Sequence, residues 1–325
     1  MWHLAEACER NRSVLKSDRS VAVIGAGVAG VAAARVLSEA GHRVVVFEKS
    51  RGLGGRCATK RWEGNAVDHG AQYFTMRDPA FREAMRPGVD ELREMLAPIV
   101  TETGASLPGE TRYYLRSGNS RLARILGEGL DVQTGVEVAP SAGREFFGEK
   151  FDAVVSTAPL PQTRRLAGIA AEPSEYIPCL TALLLYEGAP AGVSAERYGV
   201  TDRSGHPLAW SACENHKEGR VQAGVTVFVA QASEGFSREY LEADSAAWSA
   251  MLREMLEERW GVNADRLLKV QPHRWRYARV GEAVTVPELP PGWFFAGDAL
   301  KESRVESAWV AGRDVGRQVA SFLSE

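Results

Sequence analysis

Apolar positions in this chain come in short runs that change period along the sequence. Val21-Ala22-Val23-Ile24 is a buried-strand run, followed by Gly25-Ala26-Gly27-Val28-Ala29-Gly30 and an alanine-rich stretch over 31–40 that stops at Gly41. The pattern predicts strand, glycine turn and helix, with Gly41 as a left-handed cap. A second strand over 43–47 runs into Glu48, a third over 151–156 ends in small residues and Pro159, and a fourth covers 293–296. The last helix, 304–322, places Val305, Ala308, Trp309, Val315, Val319 and Phe322 largely on one core face. Between these segments, 79–97 reads as charged and helical but broken at Pro87-Gly88, whereas 111–116, 180–186 and 221–230 read as strands. A helix over 245–259 is expected to end at Gly261. Strands from both ends of this middle region are expected to form one antiparallel sheet.

Composition narrows the function classes. At 325 residues the chain is long enough for about two domains of the usual ~150 residues. Lys+Arg 39 against Asp+Glu 42 gives a net charge of -3, so no global basic field draws nucleic acid or anionic lipid. No aliphatic run approaches the ~20 residues that span a bilayer, and no membrane association is expected. Residues 1–17 are expected to be a solvated extension, since Glu6 and Glu9 interrupt them and no signal-like apolar core is present. The four cysteines, Cys8, Cys57, Cys179 and Cys213, form no CxxC pair, which predicts a reducing, cytoplasmic setting and no metal centre. Serine-hydrolase, zincin and P-loop signatures have no anchor in the sequence.

The glycine turn carries the first chemistry. In strand–turn–helix context, Gly25 permits the tight turn, Gly27 lets backbone approach a pyrophosphate, and Gly30 allows close helix–strand packing. Glu48 lies 18 positions after Gly30, where such folds place a carboxylate on the adenosine ribose; it would repel a 2′-phosphate, leaving FAD or NAD. A second cluster, Ser50-Arg51-Gly52-Leu53-Gly54-Gly55-Arg56, adds more close-approach backbone and positive charge than one pyrophosphate turn needs; it resembles the doubly glycine-marked FAD-binding segment of the amine-oxidase and phytoene-desaturase flavoproteins, which implies FAD.

That cluster, together with Asp68-His69-Gly70-Ala71-Gln72-Tyr73-Phe74-Thr75, His273-Arg274-Trp275-Arg276-Tyr277-Ala278 and Gly297-Asp298 followed by Arg304-Val305-Glu306-Ser307-Ala308-Trp309, resembles the renalase-like flavoproteins, especially their bacterial branch. These belong to the amine-oxidase and phytoene-desaturase superfamily, and the blocks stand in the family's order from about residue 20 to the end. The resemblance implies an α/β protein: a glutathione-reductase-like Rossmann FAD-binding domain (18–75, 128–165, 286–325) with an inserted α+β substrate domain (76–127, 166–285) containing an antiparallel sheet. It further implies non-covalent FAD held by Gly25, Gly27, Ala29, Gly30, Glu48, Lys49, Gly55, Arg56, Ala71, Gln72, Tyr73, Val138, Thr157, Ala158, Gly297, Asp298, Val305, Glu306 and Ala308. In relatives the N-terminus of the last helix points at the flavin N1 and C2 carbonyl.

The implied reaction is oxidation of misreduced dihydro-NAD(P) isomers, with hydride passing to flavin N5 and then electrons to dioxygen, giving hydrogen peroxide. Tyr73, Trp275 and Tyr277 are the expected stacking walls, and Asn215, Gln231 and Arg304 the polar positioners. Two positions depart from the family: Gln231 stands where some relatives carry histidine, and Ser117-Gly118-Asn119-Ser120 where a proline-glycine-methionine-like turn is expected. The alternatives are a superfamily amine oxidase, which needs an aromatic cage, and a flavin-binding protein without turnover.

Overall fold

The computed structural model describes residues 19–107, 109–141, 143–170, 172, 176–189 and 197–325. The predicted extension lies outside the described residues. Two compact units emerge. One comprises the described residues up to Gly55 with Ala123–Ser174 and Glu282–Glu325; the other comprises Arg56–Leu122 and Glu175–Gly281. The motif-based boundaries differ most at the first crossover, 75 against 55, because the backbone beyond Arg56 enters the hairpin Thr59–Trp62/Asn65–Asp68, whose Trp62 and Val67 pack with the second unit's sheet.

The first unit is built on a five-stranded parallel sheet in the order Trp293–Phe295, Ala153–Ser156, Ser20–Ile24, Arg43–Glu48, Asp131–Thr134. Alternation along the strands sends neighbouring side chains to opposite faces, so both faces bury apolar residues. Val21, Val23, Val44, Val46 and Val155 meet Ala33, Leu37, Val315 and Val319 of the helices Val28–Glu39 and Val305–Phe322. Ala22, Ile24, Val45, Phe47 and Val154 meet Val138, Phe146, Phe151 and Trp293 on the other face. The two helices touch backbone to backbone: a Cβ on Gly312 would stand 2.1 Å from the Ala29 carbonyl oxygen, and one on Gly316 3.0 Å from that of Ala33. Phe322, expected on the core face, is instead 42% exposed in the last helical turn.

The second unit contains a six-stranded sheet ordered Leu267–Val280, Tyr176–Glu187, Val225–Ala232, Leu208–Cys213, Gly199–Thr201, Ile99–Thr101. It is antiparallel, as expected, except for the final Gly199–Thr201/Ile99–Thr101 pair, which is parallel. One face packs Leu180, Leu184, Tyr186, Phe228 and Ala230 against Trp248, Leu252, Leu256 and Trp260 of the helix Ser245–Trp260. Asp244 caps that helix by accepting from the amides of Ala246 and Ala247, and Gly261 ends it at φ 62°. On the opposite face the hairpin residues Trp62 and Val67 cover Leu183, Leu185, Val227 and Val229, leaving the other half of that face to the residues described below.

Two readings of the middle region change. The expected helix over 79–97 is only Pro79–Ala84, then a 3-10 segment Arg86–Glu91 and a short strand Leu92–Glu94 paired with Tyr113–Leu115. Pro87 interrupts the helical ladder, and residues 92–94 satisfy their backbone groups in the sheet instead. The long strand Leu267–Val280 is absent from the sequence reading; it tolerates Pro272 because it is the sheet's edge.

Candidate functional site

In the first unit the glycine turn is held at Gly25 and Gly30. Gly25 donates its amide to the Phe47 carbonyl at 2.8 Å, and Thr157 Oγ1 donates to the carbonyls of Ile24 and Gly25 at 3.0 and 3.1 Å. A Cβ on Gly30 would come within 1.9 Å of the Gly25 carbonyl oxygen, so only glycine fits, whereas a Cβ on Gly27 would meet nothing within 4 Å. The open side of the turn is therefore at Gly27, beside a helix N-terminus with no side-chain cap and no acidic residue in its first turn. Its first-turn amides and positive dipole end suit a phosphate. The second glycine cluster docks onto this turn: Gly54 donates to the Ala26 carbonyl at 3.0 Å, and Gly55 lies against Gly27.

Glu48 closes the adenosine end. It is 7% exposed, and its two carboxylate oxygens accept from the amides of Ala26 and Ser50, each at 2.8 Å. Remaining lone pairs are available for ribose hydroxyls. Exposed Lys49 follows it, and Val136 donates to the Glu48 carbonyl at 3.0 Å, bringing buried Val138 into the same cluster as Phe47. Open space at Gly27, an uncapped helix end and an anchored buried carboxylate fit an adenine dinucleotide.

Elsewhere in this unit Ala296 donates to Ser156 at 3.0 Å, which sets Gly297 and the buried Asp298 at the end of the strand Trp293–Phe295. Ala158 accepts from Thr163 Oγ1. The helix Val305–Phe322 begins at Arg304 without a side-chain cap, with Glu306 buried in its first turn and Ala308 half-buried one turn on. Arg304 Nε lies 3.2 Å from Glu302.

In the second unit His273, Thr181, Gln231 and Trp210 stand directly opposite one another on four successive strands. Opposed residues share a face, so they form one row across the sheet. Trp275, opposite Cys179, continues that face along the edge strand, while exposed Arg274 and Arg276 alternate with it, Arg276 pairing with Glu242; Tyr277 follows where the register shifts, its ring 5.6 Å from that of Tyr176. Tyr73 joins the row through its ring, 6.1 Å from that of Trp210.

The segment after Asp68 runs beside this row with its carbonyls tied down one by one. Asp68 O accepts from Gln72 Nε2, His69 O from Trp275 Nε1 at 2.9 Å, Gly70 O from Gln231 Nε2 at 3.1 Å, and Ala71 O from Asn119 Nδ2 at 3.0 Å. Ala71 N donates to the Arg56 carbonyl at 2.9 Å, and the Arg56 guanidinium donates to Ala278 O. Trp275 and Gln231 thus direct their polar atoms at backbone, and the Trp275 ring stacks on that of His69. Asn215 is set apart from them: its amide accepts from Val227 N and donates to Val225 O, bracing the base of its own hairpin.

Beneath the segment lies a buried ionic cluster. Asp68 accepts from Lys217 Nζ at 3.0 Å, Arg220 at 2.7 Å, Thr59 Oγ1 at 2.6 Å and Asn119 N at 3.0 Å. Glu214 is 2.7 Å from Lys217 and accepts from Tyr198 OH at 3.3 Å; Tyr198 also donates to Gln72 Oε1. Burial alone would raise the Asp68 pKa, but Lys217 and Arg220 overturn this and hold it at about 2. Two carboxylates balance two cations. The sequence reading includes Asp68 in a motif block without this role, and Asn119 only as a departure; Asn119 N donates to Asp68, its Nδ2 to Ala71 O, and its Oδ1 accepts from Leu115 N at 3.1 Å, which shows what the departure does.

His69 and His273 stand ring to ring at 4.6 Å beside Trp275. Burial lowers both to about 4, helped at His69 by His273 and at both by Lys60, so both are neutral near pH 7. Burial also pushes the Cys179 thiol up to about 11, which makes it an unreactive wall atom. Among the described residues no cluster of His, Cys, Asp or Glu could hold a metal, and no helix is long and apolar enough to cross a membrane.

The family model for an NAD(P)-binding Rossmann-like domain matches residues 23–86. Over 90 residues the chain is 37% identical to an L-amino-acid oxidase of Siganus canaliculatus, covering 27% of this chain and 16% of that protein. Over 58 residues it is 43% identical to a 4,4'-diapophytoene desaturase of Staphylococcus aureus strain Newman, 18% of this chain and 12% of that protein. The matched stretches span less than a fifth of these curated relatives. Among solved structures, a candidate protoporphyrinogen oxidase from Exiguobacterium sp. 255-15 superposes with a TM-score of 0.72 at 15% identity, over 94% of this chain and 99% of that one. Putrescine oxidase bound to putrescine gives 0.67 at 14%, over 95% and 100%. Reduced UDP-galactopyranose mutase gives 0.72 at 10%, over 94% and 96%. These likenesses show a shared fold, with a Rossmann-type nucleotide-binding unit at its start.

Proposed function

We propose that this chain is an FAD-dependent oxidase of misreduced dihydro-NAD(P) isomers, returning them to NAD(P)+. The cofactor is assigned to the turn at Gly25, Gly27 and Gly30, to Glu48, and to the second glycine cluster seated on the first, with Gly297, Asp298 and the start of the last helix at its far end. When bound, FAD supplies a hydride acceptor at N5 that dioxygen reoxidises to hydrogen peroxide.

The observation that carries the substrate class is the row itself: neutral His273, Thr181 and Gln231 lie between Trp275, next along the edge strand, and the rings of Trp210 and Tyr73, and both histidines are held uncharged. Hydride loss from a dihydropyridine restores aromaticity and requires no proton abstraction, so orientation between flat walls suffices. Trp275 and Gln231 keep the 68–71 backbone fixed. The relatives that act on amines, putrescine oxidase and L-amino-acid oxidase by name, favour a second reading in which the same aromatics cage a neutral amine.

Anaerobic mixing separates them. Rapid bleaching of the flavin band near ~450 nm by borohydride-reduced NAD(P), and not by amines, is the expected result. Bleaching by amines alone selects the second reading, and a flavin that neither reduces marks a binding protein.

A further inference from the structure

Several guanidinium groups on the surface of the second unit are held in ion pairs: Arg77 with Glu110, Arg93 and Arg116 with Glu218, Arg238 with Glu234, Arg276 with Glu242. Arg112 is not among them, and what sets it apart is its place over the Tyr73 ring. It is half-buried, it has no carboxylate within ion-pair distance among the described residues, and its guanidinium carbon lies 5.5 Å from the centre of the Tyr73 ring, against the backbone of Gly109. Glu110, two positions earlier, is engaged by Arg77 instead. The strand Tyr113–Leu115 and the bond from Met95 N to the Arg112 carbonyl fix the backbone from which this side chain reaches.

Stacking on an aromatic face holds a guanidinium in place while leaving its in-plane N–H donors directed outward. Tyr73 is one wall of the row, 6.1 Å from Trp210, so a guanidinium over its ring stands at the row's rim. Planar forked donors without a protein acceptor match phosphate oxygens. The same charge repels a protonated amine.

We infer that Arg112 is the specificity-determining residue that receives the pyrophosphate of a dinucleotide substrate whose ring lies among Tyr73, Trp210 and Trp275. This assignment rests on the reading proposed above. The phosphate chemistry could come from substrate or from FAD, and the inference commits to the substrate.

The test uses the flavin-loaded full chain and two probes, borohydride-reduced NAD and borohydride-reduced nicotinamide riboside, which lacks the pyrophosphate. In Arg112→Gln the ratio of kcat/KM for the first over the second should fall about tenfold to a hundredfold, as expected for losing a charge-assisted bond, mainly through KM. Arg112→Lys should recover part of the ratio, since charge returns without the fork. Added salt should lower kcat/KM for the dinucleotide in the parent and much less in Arg112→Gln. Flavin content per chain should match the parent in both variants; loss of flavin would move the phosphate contact to FAD and overturn the inference. An unchanged ratio in folded, flavin-loaded Arg112→Gln overturns it too. If the parent oxidises neither probe, the proposed function falls, and the Arg112 assignment with it.

Discussion

The amide of Gly54 donates to the carbonyl of Ala26 at 3.0 Å, so the second glycine cluster is fastened to the first turn. The two clusters form one backbone cradle, and its glycines do different work. Gly27→Ala places a methyl in open space, and Gly30→Ala drives one into the Gly25 carbonyl at 1.9 Å. The expected outcome is a folded, colourless Gly27→Ala protein whose melting temperature matches the flavin-free parent. Gly30→Ala should be largely insoluble or destabilised beyond about 3 kcal/mol. Circular dichroism melts alongside the ratio of absorbance at the flavin band to that of protein decide both.

Glu48 contributes to folding as well as to binding, because its carboxylate satisfies the amides of Ala26 and Ser50. Glu48→Gln keeps the shape but turns one acceptor into a donor facing an N–H. Urea denaturation of the flavin-free protein should show a loss of about 1–3 kcal/mol, and equilibrium dialysis a weaker hold on FAD. A variant as stable as the parent would show that these bonds contribute nothing net.

Asp68→Asn should cost about 3–5 kcal/mol, since it leaves Lys217 and Arg220 with one carboxylate, Glu214, between them in a fully buried site. The acid behaviour carries the sign. The folded pKa of about 2 lies below the ordinary 3.8, so the stabilisation is complete above the ordinary value and fades as pH falls toward 2. Thermal melts from pH 5 to pH 2 should show a steeper decline in the parent than in the variant.

His69 and His273 give a second, higher window. Their folded values of about 4 lie below the ordinary 6.5, so the unfolded chain takes up protons first, and stability falls as pH drops from 6.5 to 4. His273→Gln should flatten part of that slope. Because both rings stay neutral above this window, kcat/KM for the proposed substrate should show no histidine ionisation between pH 6 and pH 8; a bell-shaped profile there would assign one of them proton transfer.

Much of the first unit was legible because its signals are local. A four-residue valine-rich run, glycines at fixed offsets and a carboxylate at the next strand end specify strand, turn, helix and anchor in one stretch. The strand Leu267–Val280 is hidden in the sequence because an edge strand with Pro272 and alternating Arg274 and Arg276 carries little apolar content, although His273 and Trp275 alternate with those arginines. The cluster of Asp68, Glu214, Lys217 and Arg220 was beyond local reading: its members are separated by up to 152 positions and become partners only when Lys217 and Arg220 reach Asp68. The bond from Asn215 to Val225 is likewise decided by hairpin geometry, which residue type alone does not reveal.

The seam of Gly312 and Gly316 against Ala29 and Ala33 joins the last helix to the first, while the strand Ser20–Ile24 pairs with Ala153–Ser156, which in turn pairs with Trp293–Phe295. A nascent chain leaving the ribosome therefore carries its nucleotide-binding turn long before the neighbours that complete it exist. Closure of that unit awaits synthesis of residues 293–322, so cofactor capture is expected only after they have emerged, and products interrupted before them expose an unfinished parallel sheet prone to association.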